Sequence, residues 1–180
     1  MTVAPGRYTL GPEGGTLLVK TGRTGAAAMA GHDLVIEVAA WHATVEVAGD
    51  PAQSSVSLDV DATSLHVRQG TGGMQALGDD DKEDIRKTID DDVLKTLPIE
   101  FRSSSVEADG SRWSVRGDLT LVGTAAPISF ELELGDDGAI EGGAVVKQSN
   151  WGIKPYSALF GALKVADEVA VSIDGKLRTA

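Results

Sequence analysis

Apolar and polar side chains alternate along most of this chain. Trp41, Ala43, Val45 and Val47 share one parity, with His42, Thr44 and Glu46 between them. Val56, Leu58 and Val60 alternate with Ser57, Asp59 and Asp61. Trp113, Val115, Gly117, Leu119 and Leu121 alternate with Ser114, Arg116, Asp118 and Thr120. Ile128, Phe130, Leu132 and Leu134 do the same, and Val169, Val171 and Ile173 close the series. A period of two predicts antiparallel strands with one apolar and one wet face. Turn signals fall between the runs: AGDP at 48–51, ADG at 108–110, GDDG at 135–138 and DG at 174–175. Many such strands joined by short turns predict a sandwich or a closed barrel.

One segment keeps a different period. Ile85, Ile89 and Val93 recur every four residues, joined by Leu94 and Leu97, which predicts an amphipathic helix over about 81–96. Asp79, Asp80, Asp81 and Glu83 crowd its start, where negative charge meets the positive end of the helix dipole. Lys95 stands near its end and Pro98 is expected to stop it. Its apolar stripe should cover the sheet. The acidic cluster lacks the alternating ligands and the glycine of a calcium loop, so it reads as capping and solvation.

Composition then narrows the function. A chain of 180 residues without internal repeats or a linker reads as one domain, 1–180. No apolar run reaches the roughly 18 residues of a membrane span, and no secretory signal is visible, so a soluble, cytoplasmic protein is expected. There is no cysteine, hence no disulfide framework and no thiolate nucleophile. A net charge of −11 disfavours nucleic acid and anionic lipid headgroups as partners.

Candidate chemistry is sparse. The three histidines, His32, His42 and His66, keep no zinc spacing. His32 lies in AGHDL beside Asp33, a pairing able to orient an imidazole, but no serine sits in a nucleophile-elbow context. The glycines of RQGTGGMQALG lack the Gly-Lys-Ser/Thr ending of a phosphate loop and read as a flexible lead into the helix. What remains is shape. A barrel of about eight strands is just wide enough for packed side chains or one small ligand, and the inward set here is apolar.

The ordered run LPIEFRSSSV, WSVRGDLTLVGTAAPISFELEL and SNWGIKPYSALFGALKVADEVAVSID resembles the YceI-like family of polyisoprenoid-binding proteins. Pro98 and Phe101, Gly117, Leu119, Thr120 and Gly123, Pro127, Trp151 to Ile153, and Val165, Asp167 and Val169 match its pattern in order, over roughly 7–175. The N-terminal GPEGGTLLVK and Lys147 depart from it. The resemblance implies an all-β fold: an extended, antiparallel, eight-stranded lipocalin-like barrel with one helix. It implies an isoprenoid, quinone-like or fatty chain held along the barrel axis.

The expected function is therefore a non-enzymatic carrier or sequestering protein. The expected wall is Phe101, Trp113, Leu119, Leu121, Phe130 and Leu132, with Trp151, Ile153, Tyr156, Phe160 and His32 toward the closure. No catalytic residue, metal or cofactor is called for beyond a bound isoprenoid or other lipid. The partner is an apolar small molecule, with no nucleic acid and no stable membrane insertion, and a homodimer is left open. Two alternatives stand beside this reading: a small hydrolase or isomerase using His32 at the barrel mouth, and an interaction domain whose barrel is simply filled.

Overall fold

The structure, a computed structural model, describes residues 3–158, 161 and 163–180. Its strands are β1 (Gly6–Leu10), β2 (Gly15–Thr21), β3 (Arg23–Thr24), β4 (His32–Val38), β5 (Trp41–Val47), β6 (Ser55–Val60) and β7 (Leu65–Gly72). After helix α1 (Asp79–Thr88) come β8 (Ile99–Asp109), β9 (Arg112–Leu121), β10 (Thr124–Leu134) and β11 (Ala139–Lys147). The chain ends through β12 (Ser157–Ala158), β13 (Leu163–Val165), β14 (Glu168–Lys176) and β15 (Arg178–Thr179).

Twelve strands form one antiparallel sheet, in the order β15-β1-β5-β6-β8-β9-β10-β11-β14-β2-β4-β7. The count exceeds the eight expected because four long runs are each broken in two. Residues 11–14 bulge out between β1 and β2, with the N–H groups of Gly14 and Gly15 both donating to Gly11 O. Residues 39–40 interrupt the second run, and a short 3-10 turn, Ala62–Ser64, interrupts the third. Leu177 breaks the last.

The breaks lie side by side and are stitched together. Ala39 N–H donates to Ser64 O at 2.9 Å, Asp61 N–H to Ala40 O at 3.0 Å, and Lys176 N–H to Gly14 O at 2.9 Å. Taken across its breaks, the last run pairs with the first, β15 with β1 and β14 with β2. The ring of pairing therefore closes, and the all-β antiparallel barrel follows from the alternation already visible in the sequence.

The connections sort to two ends. The turns at 48–54, 110–111 and 135–138 lie at one end with the two termini. The other end carries α1, the 122–123 turn and a second, three-stranded sheet, β12-β13-β3. The DG pair at 174–175, expected as a turn, lies inside β14, where Gly175 stands opposite Gly15. Pro127 occupies the stretch of β10 that has β9 but not yet β11 beside it, which is where a residue without an N–H is tolerated.

The helix begins and ends differently from expectation. It starts at Asp79, with Gly78 N–H donating to the Asp81 carboxylate at 2.8 Å. After Thr88 it widens into a π turn, Ile89–Val93, marked by Leu94 N–H donating to Ile89 O at 2.8 Å. Pro98 does not stop it. Lys95 and Thr96 both take left-handed backbone angles, with φ of 55° and 56°, and the chain has turned before the proline arrives.

Candidate functional site

The barrel encloses a cavity of about 590 Å³, within the range of small-molecule sites. β8 contributes Phe101, β9 contributes Leu119 and Leu121, and β10 contributes Ile128, Phe130 and Leu132. The opposite wall comes from Leu17 and Val19 of β2, Ile36 and Val38 of β4, and Val169, Val171 and Ile173 of β14. Each of these is the inward member of an alternating strand. The helix closes the side: Ile85, Ile89 and Val93, spaced by four, all face the cavity.

One end of the barrel is shut. Val47, Val106, Trp113, Val115 and Leu134 are buried inside the end that carries the short turns, and none of them reaches the cavity. They fill the barrel there as a packed floor. The other end is open, for the wall passes from buried to exposed at Ala30, Asp84, Tyr156 and Lys164. A closed floor and an open mouth make a blind slot.

Polar groups gather at the mouth. Arg23, His32, Asp84, Tyr156 and Lys164 line it. The Arg23 guanidinium donates to Gly31 O and pairs with the Asp33 carboxylate at 3.6 Å, so its charge is already met. His32 Nε2 lies 2.6 Å from Gln75 O. A carbonyl only accepts, so this nitrogen carries the proton and donates. His32 thus ties the 73–78 loop to β4, and Asp33 faces Arg23 rather than the imidazole. The ring rests on Gly73, where a Cβ would come within 2.4 Å of Nε2. The glycines at 70–73 are therefore packing positions, and Gly70 and Gly72 belong to β7 rather than to a flexible lead.

Of the residues expected at the ligand, Phe101, Leu119, Leu121, Phe130, Leu132, Ile153, Tyr156 and His32 line the cavity. Trp113 stands in the floor instead. Trp151 is buried without lining the cavity, its indole N–H donating to Leu119 O at 2.7 Å. Phe160 lies outside the described residues. Periodicity missed the helix face and the β2 and β4 positions as wall residues, although the i, i+4 spacing of Ile85, Ile89 and Val93 pointed the right way.

The 148–153 segment that carries Trp151 and Ile153 is fastened to the start of the last run. Ser149 donates to Asp167 through its N–H at 2.8 Å and its hydroxyl at 2.5 Å, and these bonds hold the Asp167 carboxyl below its ordinary range. Gln148 adds a bond from its side-chain amide to Ala166 O at 3.1 Å. Among the described residues no group of three or more metal-ligating side chains comes together.

An antiparallel barrel wrapped around an apolar blind slot is a lipocalin-like architecture. The chain belongs to the YceI-like family, whose domain model matches residues 8–177. Its fold is similar to that of Burkholderia cenocepacia BcnA, at 19% identity over 92% of this chain and 96% of that one, with a TM-score of 0.67. It is similar also to the Campylobacter jejuni YCEI protein, at 13% identity over 81% and 84% of the two chains, with a TM-score of 0.59. No curated protein matches the chain.

Proposed function

We propose that the protein carries or sequesters one long apolar molecule, a polyisoprenoid, isoprenoid quinone or fatty-type chain, lying lengthwise in the slot. The observation that carries this reading is the pairing of an apolar wall with a packed floor and an open mouth. Burying one methylene contributes ~0.8 kcal/mol, so a long chain can offset the cost of association without a charged anchor. A charge placed deep in such a wall without a partner would cost several kcal/mol, so the inserted part of the ligand is uncharged. The bound part is recognised by shape and length.

The hydrolase reading loses its main support. A catalytic His32 needs a nucleophile within reach of its free ring nitrogen, whereas Nε2 is spent on Gln75 O and, among the described residues, no serine hydroxyl bonds to the ring. His32 is a tether of the mouth, and His32→Ala should loosen the 73–78 loop without abolishing any turnover.

Titration with decyl-ubiquinone tests the carrier reading. Saturable one-to-one binding is expected, and Leu121→Gln or Phe130→Gln should weaken it in protein that remains folded. Equal affinity in the folded variants, or no saturable binding by the parent, would overturn it.

A further inference from the structure

Exposed apolar side chains are not scattered over this molecule. Among the described residues five large hydrophobic side chains are exposed: Met29 86%, Met74 86%, Val145 62%, Tyr156 51% and Leu97 40%. All but Val145 stand in the connections at the open end of the barrel. Met29 tips the 25–31 loop, GAAAMAG, and Met74 tips the 73–78 loop, GMQALG. Neither loop contains a charged residue, in a chain that is 24% charged. The two loops meet: Ala30 and Met74 line one depression together with His32 and, at its edge, Asp81 of α1. Two uncharged loops, distant in sequence, thus place their methionines in water beside the mouth of the slot.

We infer that this end of the barrel is a docking surface for a neutral lipid bilayer, on which the slot exchanges its cargo. The inference rests on the carrier reading for its purpose but on separate residues for its physics. A cargo that fits the slot has little solubility in water, so a mouth that meets the membrane spares it an aqueous path. Flexible, apolar methionines at loop tips suit shallow burial among lipid headgroups. Charge sets the lipid class. Residues 79–95, beside the mouth, carry eight carboxylates against four cations, so an anionic surface is repelled and a zwitterionic one is not.

The test floats the unloaded protein with phosphatidylcholine vesicles, which reads docking whether or not any cargo binds. The parent should rise with the vesicles. Met29→Asp combined with Met74→Asp should reduce the bound fraction about tenfold or more, with an unchanged melting temperature. Adding phosphatidylglycerol should weaken binding of the parent. In protein loaded with decyl-ubiquinone, transfer to vesicles should speed up with vesicle concentration for the parent and lose that dependence in the double variant. Cargo affinity measured without vesicles should stay within about twofold. A parent that does not float, a double variant that floats equally, or stronger binding to phosphatidylglycerol would overturn the inference. Self-association through Met29 and Met74 without flotation would overturn it in favour of a second copy. Flotation without decyl-ubiquinone binding would keep the docking surface and remove the carrier reading.

Discussion

The Phe101 and Phe130 rings meet at a centroid distance of 5.1 Å and an interplanar angle of 60°, across a strand whose inward position is Gly117. The contact exists because Gly117 has no side chain. A Cβ there would lie 2.7 Å from the Phe101 ring and 2.2 Å from Arg102 O. The tilted pair, an arrangement aromatic rings favour, forms an aromatic patch in the wall among aliphatic neighbours.

Gly117→Ala should therefore destabilise the fold by about 1–3 kcal/mol, because backbone rather than a flexible side chain must yield. Phe101→Ala should cost roughly 3 kcal/mol, the low end for a buried phenylalanine, since one side of the ring faces the cavity. Phe130→Ala should cost less, its ring being only half-buried. Urea denaturation of the three variants checks the order.

The bond from the Trp151 indole to Leu119 O ties the 148–153 segment to β9. Trp151→Phe keeps an aromatic ring but removes this bond, which should cost about 1 kcal/mol. Decyl-ubiquinone affinity should change far less than for Leu121→Gln, because Trp151 does not face the cavity. Thermal melts and titrations of the same samples separate the two effects.

Acid should weaken the structure in a defined window. Hydrogen bonds hold the carboxyls of Asp61, Glu133, Asp137 and Asp167 below their ordinary range, and Arg86 does the same for Glu83. Each is therefore ionised to lower pH when folded than when unfolded. Their contribution is complete above the unfolded value of about 4 and is lost as pH falls through the lower folded values. The melting temperature should fall modestly as pH drops below about 4, since all five carboxyls are exposed and screened by solvent. Asp167→Asn should lower it at neutral pH and flatten that acid limb, which a series of melts against pH will show.

The sequence made one coordinate of this molecule legible and hid another. Alternation tells which side of a strand faces inward, and Leu119, Leu121, Phe130 and Leu132 were found that way. It does not tell how far along the barrel axis an inward residue stands. Trp113 and Leu119 share a parity on β9, yet one belongs to the floor and the other to the wall. The broken runs were hidden for a related reason: nothing local at GPEG, at Ala39 and Ala40 or at Leu177 tells that a strand is interrupted there while its partners across the sheet carry it on. Trp151 was placed at the ligand because an aromatic beside an apolar slot is expected inside it, whereas the folded chain buries it off the cavity with its indole on Leu119 O. The end of α1 was misread because nothing local marks Lys95 and Thr96 as left-handed, while Pro98 looks like a stop.

Native mass spectrometry of gently purified protein tests the slot most directly. It should show one apolar molecule per chain, its mass lost on denaturation, and its place taken by decyl-ubiquinone in a one-to-one complex. A bare mass that binds no apolar chain saturably would show that the barrel interior is a packed core.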